Sequence, residues 1–159
     1  MRLETCTRSD YLHILENYAL FWGSDRARHV HHSIVLEEFG DTAFVVRHGD
    51  VLCGYLFGFF AQTGRYFYIH LVAVRDSHRG QGIASRLYAH VEKLARDAGR
   101  DTIKAITTMD NEASISYHLA LGFEAVGSAE RDGLRFEPDY SGRGRDRVVF
   151  VKSLNRDGS

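Results

Sequence analysis

The chain has 159 residues, of which 44% are hydrophobic and 26% charged, and this length and composition fit one folded domain over residues 1–159. The formal net charge is −1, so the sequence lacks the basic excess typical of proteins that bind nucleic acid or an anionic membrane surface. Neither a signal peptide nor a bilayer-spanning segment is visible, and the two cysteines have no CxxC partner, so a cytoplasmic protein without a metal site is expected.

The first half of the chain predicts helices followed by antiparallel strands. A short strand at residues 1–6 precedes a helix that begins at Ser9-Asp10 and ends at Gly23, and a second short helix is expected at residues 29–39. Strands are expected at residues 42–47, 51–60 and 66–74, with His48-Gly49-Asp50 as the hairpin turn between the first two.

The second half predicts a βαβ unit and further strands. A long amphipathic helix begins near Gly82 and ends at Gly99, and another helix at residues 111–121 ends at Gly122. Strands are expected at residues 102–108, 123–126 and 147–154, with a loop rich in glycine and charge before the last one. This order predicts an α/β fold with a mixed, mostly antiparallel sheet and helices on both faces.

A glycine-rich turn joins the strand at residues 66–74 to the long helix. It consists of Arg79, Gly80, Gln81, Gly82, Ile83 and Ala84. The first turn of a helix has unpaired N–H groups and the positive end of the helix dipole, and small residues let an anion approach them. The turn therefore predicts a phosphate-binding cradle, with a tight structural connection as the alternative. It is neither a P-loop nor a Rossmann fingerprint, because the residue types and the glycine spacing differ.

The segment Arg79-x-x-Gly82-x-Ala84 resembles the Q/R-x-x-G-x-G/A signature of the GNAT family of N-acetyltransferases, and Val74 lies where that family has the valine that ends the strand. In the family this turn binds the pyrophosphate of acetyl-CoA through backbone N–H groups. The resemblance implies a GNAT-like fold, acetyl-CoA as the co-substrate without a metal, and binding residues that include Val74 and the turn from Arg79 to Ala84. Asp76 stands where many members have proline.

A second segment, from Asn111 to Phe123, resembles the family pattern N-x-x-A/S-x-x-x-Y-x-x-x-G-F. Asn111, Ser114 and His118 share one helix face, and the resemblance implies that they contact the coenzyme. A solvated face with Asn111 as the N-cap is the alternative. Most members have a tyrosine at the position of His118, and that tyrosine is credited with protonating the departing thiolate. A histidine at this position resembles the branch that includes phosphinothricin acetyltransferases. His118 is therefore a candidate acid, and water is the alternative proton donor.

The strand at residues 66–74 supplies the other candidate catalytic groups. The resemblance implies that a backbone N–H near Leu71 or Val72, at a bulge, stabilises the oxyanion. His70 lies on the same strand and is a candidate general base, because an imidazole suits proton transfer at neutral pH. A histidine paired within the sheet is the alternative.

The acceptor site is less well defined by the sequence. The cluster His29-x-His31-His32 and nearby aromatic residues are expected either to line an acceptor pocket or to pack in the core, and no suitably spaced partner supports a metal site. The aromatic run at residues 57–68 is expected to be mostly sheet core, with an acceptor pocket or a dimer face as the alternative for part of it. The loop at residues 139–147 either covers the acceptor site or is a plain solvated loop.

Together these features predict an N-acetyltransferase. It would move an acetyl group from acetyl-CoA to a primary amine of a small molecule or amino acid, by direct attack in a ternary complex. A homodimer is possible, and neither nucleic acid nor a membrane is an expected partner. The alternative is a catalytically weak acyl-CoA-binding module with a sensing or regulatory role.

Overall fold

The computed structural model describes residues 1–25 and 27–155. The chain divides into two compact units, the first comprising residues 1–59 and 69–94 and the second residues 60–68 and 95 onward. Organisation as a single domain stays a prediction. The predicted mixed α/β class is confirmed, because helices alternate with strands that pair mostly in the antiparallel sense.

The first unit holds the N-terminal helices and strands in the order β1-β2-β3-β4. Its elements are β1 (Arg2–Thr5), α1 (Arg8–Glu16), α2 (Ala19–Trp22), α3 (Ile34–Glu37), β2 (Ala43–His48), β3 (Val51–Phe60), β4 (Tyr66–Val74) and α4 (Ile83–Asp97). The last residue of β3, the first three of β4 and the last three of α4 belong to the second unit. Strand β2 is antiparallel to both β1 and β3, with a bulge between Val46 and Arg47.

The N-terminal helices differ from the prediction at their ends. Thr7, not Ser9, caps α1, because its side chain accepts from the Asp10 amide while the Asp10 carboxylate accepts from the Thr7 amide. That helix ends at Glu16, and Gly23 ends α2 in the left-handed conformation. The single helix expected at residues 29–39 is a 3₁₀ turn at Arg28–Val30 followed by α3.

The core of the first unit lies between α1, α2 and the sheet. Burial alternates along β4, where every second residue from Phe67 to Ala73 is buried. The core cluster comprises Cys6, Tyr11, Ile14, Phe21, Val35, Ala43, Val45, Leu52, Tyr55, Phe57, Leu71 and Ala73. Helix α4 buries Ile83, Leu87 and Val91 at helical spacing, as the amphipathic pattern predicts.

The second unit contains β5 (Thr102–Thr107), α5 (Glu112–Ala120), β6 (Glu124–Val126), β7 (Ala129–Arg131), β8 (Leu134–Phe136) and β9 (Val148–Ser153). Strand β9 pairs antiparallel with β5 on one side and with β6 on the other. Strands β7 and β8 form a separate hairpin, closed by Asp132 and Gly133 with positive φ angles of 53° and 79°. This hairpin lies where the sequence predicts only a loop.

Candidate active site

The glycine-rich turn follows β4 and a 3₁₀ turn at Asp76–His78, and it leads directly into α4. Gly80 and Gly82 have φ angles of +74° and +75°, a conformation that glycine adopts without strain. The first bond that continues into the helix is donated by the Arg86 amide to the Gly82 carbonyl, at 3.0 Å. In the described chain, no oxygen accepts a hydrogen bond from the amides of residues 80–84.

The space around this turn is open. A Cβ atom built on Gly80 or Gly82 would have no heavy atom within 4 Å, apart from its chain neighbours. Ile83, in contrast, is buried and anchors the start of α4. Donor groups that face open space at the N-terminus of a 15-residue helix suit an anion such as a pyrophosphate.

Gly54 in β3 allows the start of α4 to lie close to the sheet. A Cβ atom on Gly54 would lie 2.6 Å from Cγ2 of Ile83, which is too close for a real side chain, and 3.2 Å from the Ala73 carbonyl oxygen, which is a tight contact. This role of Gly54 was not predicted from the sequence. A glycine inside an otherwise apolar strand was the available signal, since it often marks a close approach.

Arg79 ties the turn to α2 through its side chain. Its guanidinium lies 2.7 Å from the Asp76 carboxylate and donates to the Phe21 carbonyl at 3.3 Å. Both charged side chains are more than half exposed, so the ion pair itself adds little stability. The Arg79 side chain therefore contacts Asp76 and the Phe21 carbonyl.

His70 is half-buried in β4, and its Nε2 lies 2.9 Å from the Val30 carbonyl oxygen. A carbonyl only accepts, so Nε2 carries the hydrogen and donates it. In the neutral ring, Nδ1 is then the nitrogen with a lone pair. Leu71 is buried, while Val72 and Val74 are half-buried on the side of β4 that carries His70.

In the second unit, helix α5 carries the other predicted site residues. The Asn111 side chain accepts from the Ser114 amide, which confirms Asn111 as the N-cap. His118 is only 4% exposed, and its ring stacks on Phe150 with centroids 4.5 Å apart and planes inclined by 2°. Its Nδ1 donates to the Ser114 carbonyl at 2.8 Å. Burial lowers the pKa of His118, and the bond to Ser114 only partly opposes that shift, so the ring is neutral at neutral pH.

A sequence model of the acetyltransferase (GNAT) family matches residues 9–123, which is most of the chain and includes the glycine-rich turn and helix α5. The chain belongs to the GNAT family.

Three curated GNAT relatives show limited matches. Rat N-acetyltransferase 8 is 31% identical over 70 residues, which are 44% of this chain and 32% of that protein. The L-amino acid N-acyltransferase MnaT of Escherichia coli is 31% identical over 42% of this chain and 39% of its own length. The L-methionine sulfoximine/L-methionine sulfone acetyltransferase of Salmonella typhimurium is 32% identical over 45% of this chain and 42% of its length. The matches therefore span less than half of each curated relative.

Solved structures share the GNAT fold over the whole chain. An aminoglycoside 6'-N-acetyltransferase complexed with coenzyme A has a TM-score of 0.70 at 15% identity, with both chains fully covered. The yncA protein of Salmonella typhimurium, solved with its cofactor acetyl-CoA, has a TM-score of 0.65 at 18% identity over 100% of this chain and 96% of its own. At these identities the likeness establishes the fold alone.

The predicted GNAT site residues fall into two groups. The first unit holds His70, Leu71, Val72, Val74 and the turn from Arg79 to Ala84, and the second unit holds Asn111, Ser114 and His118.

Among the described residues, no group of three or more histidine, cysteine, aspartate or glutamate side chains could hold a metal ion. No helix in residues 1–25 or 27–155 is long and apolar enough to cross a bilayer.

One hydrogen-bonded network beside His70 was not anticipated. Trp22 Nε1 donates to the Tyr55 hydroxyl at 2.6 Å, and that hydroxyl lies 2.7 Å from His31 Nε2. His31 Nδ1 donates to the Ala27 carbonyl at 2.8 Å. Burial lowers the pKa of His31, which keeps the ring neutral and allows its Nε2 to accept from Tyr55. The predicted alternatives for this cluster were acceptor lining and core, and His31, Tyr11 and Phe21 are buried.

Proposed function

We propose that this GNAT protein transfers an acetyl group from acetyl-CoA to a primary amine of a small molecule or amino acid. The observation that carries the proposal is the row of unpaired amides from Gly80 to Ala84 at the open N-terminus of α4. Such a row can bind a pyrophosphate with hydrogen bonds and a favourable helix dipole. Two GNAT neighbours were solved with coenzyme A or acetyl-CoA, in agreement with this interpretation.

In the proposed reaction, the neutral amine attacks the thioester carbonyl carbon. A carbon–nitrogen bond forms, the carbon–sulfur bond breaks, and coenzyme A leaves as the thiolate. The amine proton passes to His70 Nδ1, because Nε2 already donates to the Val30 carbonyl. A backbone N–H near Leu71 or Val72 would stabilise the oxyanion.

Either His118 or water would protonate the departing thiolate. The lowered pKa of His118 leaves little imidazolium at neutral pH, and its Nδ1 hydrogen is held by the Ser114 carbonyl. These two features favour water as the proton donor. His118 would then act mainly by fixing α5 against Phe150 through the stacked rings.

Two of the relatives support this acceptor class, namely the L-amino acid N-acyltransferase of Escherichia coli and the L-methionine sulfoximine/L-methionine sulfone acetyltransferase of Salmonella typhimurium. Homodimerisation and a cytoplasmic location stay predictions. The alternative is an acyl-CoA-binding module with weak transfer and a sensing or regulatory role.

Calorimetric titration with acetyl-CoA tests the proposal, using the variants Gly80→Ala and Gly82→Ala. Both substitutions force an alanine into the left-handed region and place a methyl group over the proposed pyrophosphate position. Gly133→Ala is the matched control, because Gly133 also has a positive φ of 79° and open space around its Cβ position, but it lies in the β7–β8 hairpin.

We expect saturable binding by the wild type and by Gly133→Ala, and affinity at least tenfold lower for the two turn variants. Equal affinities in all four proteins would exclude the turn as the binding site, and no binding by the folded wild type would reject the proposed function. Binding without thiol release across a broad set of amines would instead favour the weak-transfer module.

A further inference from the structure

The second unit has a cationic and aromatic patch that the proposed mechanism does not use. We define the tyrosine–lysine patch as Tyr66, Tyr68, Lys104, Tyr140 and Arg147. Lys104 Nζ lies 5.1 Å from the ring centroid of Tyr66 and 5.3 Å from that of Tyr140. A cation over two ring faces is held by both ring quadrupoles, so Lys104 brings the loop residue Tyr140 to the sheet.

Tyr68 is a further member of the tyrosine–lysine patch, close enough to Tyr66, Tyr140 and Arg147 to feel their charges. Burial raises the pKa of Tyr68 strongly, its neighbours Tyr140 and Tyr66 raise it further, and the Arg147 charge opposes the shift. Tyr68 is therefore a neutral phenol that can donate a hydrogen bond. It precedes His70 by two residues in β4, and side chains at that spacing point to the same side of a strand.

The carboxylates of the loop before β9 accept hydrogen bonds from Ser128 or from amides of the loop itself. Glu137 accepts from both the amide and the hydroxyl of Ser128, at 2.9 Å each. Asp139 accepts from the Gly144 amide at 2.5 Å, and Asp146 accepts from the Asp139 amide at 3.0 Å. Each of these three carboxylates therefore has a hydrogen-bond donor other than the patch cations.

As a result, the two patch cations have no carboxylate partner in the described chain. No aspartate or glutamate oxygen lies within 4.0 Å of the Lys104 ammonium or the Arg147 guanidinium among residues 1–25 and 27–155. Arg147 uses one N–H on the Asp146 carbonyl, at 2.7 Å, and has further donors. Both side chains are half-buried, where a charge without a counterion is less well solvated than at the surface.

We infer that the tyrosine–lysine patch binds the carboxylate of the acceptor, so that the acceptor class is the free amino acid. Lys104 and Arg147 would supply the positive charge, Tyr68 a hydroxyl donor, and the tyrosine rings an apolar surface for the side chain. This inference rests on the proposed acetyl transfer and makes its acceptor specific. An amine without a carboxylate would leave both cations unpaired and would bind less well.

Paired ligands test this inference without requiring turnover. The probes are a set of L-amino acids and the corresponding L-amino acid amides, in which a neutral carboxamide replaces the carboxylate. Saturation-transfer NMR with the coenzyme A-loaded protein measures their binding, and thiol release from acetyl-CoA measures their acetylation. The variants are Lys104→Gln and Arg147→Gln.

Lys152→Gln is the matched control. Lys152 also places its ammonium over an aromatic ring, 5.8 Å from the Phe123 centroid. It lies opposite Ile103 in the β5–β9 register and therefore on the other face of the sheet from Lys104. It shares the charge and the type of contact without belonging to the patch.

We expect at least one amino acid to bind tenfold more tightly than its amide, and the two patch variants, but not Lys152→Gln, to abolish that preference. Acetyl-CoA affinity should be unchanged in all three variants. Amides that bind as well as the acids, no binding by either set, or a preference that survives both patch substitutions would overturn the inference. Failure of the proposed function can be told apart from failure of this inference, because only the former would appear as absence of acetyl-CoA binding by the wild-type protein.

Discussion

His70 Nε2 contacts the Val30 carbonyl, and that contact determines which ring nitrogen can take up a proton. With Nε2 donating to Val30, a base role falls to Nδ1. The same bond ties β4 to the 3₁₀ turn at Arg28–Val30, so a structural role is the competing explanation. The sequence identifies His70 as a candidate, but the choice of nitrogen depends on a carbonyl 40 residues away in the chain.

The variant His70→Gln separates these two roles. A glutamine amide can still donate to the Val30 carbonyl but cannot act as a base at neutral pH. We expect kcat/KM for acetyl transfer to fall by roughly 10²- to 10⁴-fold, with the thermal midpoint nearly unchanged. Steady-state kinetics and thermal unfolding measure the two effects.

His90→Gln is the control for the loss of a half-buried imidazole. His90 lies on α4, packs against Phe44 of β2 and has no proposed role in the reaction. Wild-type kcat/KM in the His70→Gln variant would rule out the base role and leave His70 as an anchor for the 3₁₀ turn.

At the scale of elements, Gly54 and Ile83 determine how closely α4 approaches β3. Gly54→Ala would place a methyl group 2.6 Å from the Ile83 side chain and 3.2 Å from a backbone oxygen, so the start of α4 must shift. We expect a loss of about 1–3 kcal/mol in the free energy of unfolding and weaker acetyl-CoA binding, because the amides of the turn move with the helix. Urea unfolding and calorimetric titration measure the two effects.

Gly40→Ala is the matched substitution, since a Cβ atom there meets nothing within 4 Å and the residue has no positive φ. It should leave both quantities nearly unchanged. Unaltered stability in Gly54→Ala would show that the helix start has room to adjust.

The elements with strong periodicity could be predicted from the sequence, and those that depend on distant contacts could not. The ranges Val51–Phe60 and Tyr66–Val74 agree fully with the expected strands, since each is a continuous apolar run between turn residues. The β7–β8 hairpin was missed although Asp132-Gly133 is a typical hairpin turn, because its three-residue strands carry too little apolar alternation. On α5, the apolar Leu119 is 45% exposed while His118 is buried, an arrangement that depends on contacts made by residues distant in the sequence.

For the whole molecule, three histidines with lowered pKa values make stability dependent on pH. Burial lowers the pKa of His31, His90 and His118 below the ordinary 6.5. Above pH ~6.5 these three histidines are neutral in both the folded and the unfolded chain, so their burial carries no cost from lost protonation and the folded state has its full stability. As the pH falls through 6.5, the unfolded chain takes up protons that the folded chain does not, so stability decreases.

We expect the free energy of unfolding to drop between pH 7.5 and 5.5 by up to about 1.4 kcal/mol per pH unit for His31 and His118 each, and by less for the partly exposed His90, where solvent screens the charge. Urea unfolding at several pH values measures this slope, and most carboxylates do not titrate in that range. The variant His118→Phe, which preserves a flat ring beside Phe150, should show a shallower slope. A slope of zero in the wild type would contradict the assignment of neutral buried histidines.

In the network from Trp22 to Ala27, each hydrogen bond has one possible donor when His31 is neutral. Trp22 donates to Tyr55, Tyr55 donates to His31, and His31 donates to the Ala27 carbonyl. A proton on His31 Nε2 would turn two donors, His31 and Trp22, toward the one Tyr55 oxygen. The hydroxyl hydrogen of Tyr55 would then need a new acceptor within the core. Protonation of His31 would therefore break this network, and residues 27–31, which include the Val30 carbonyl bonded to His70, should be the first part of the first unit to loosen in acid.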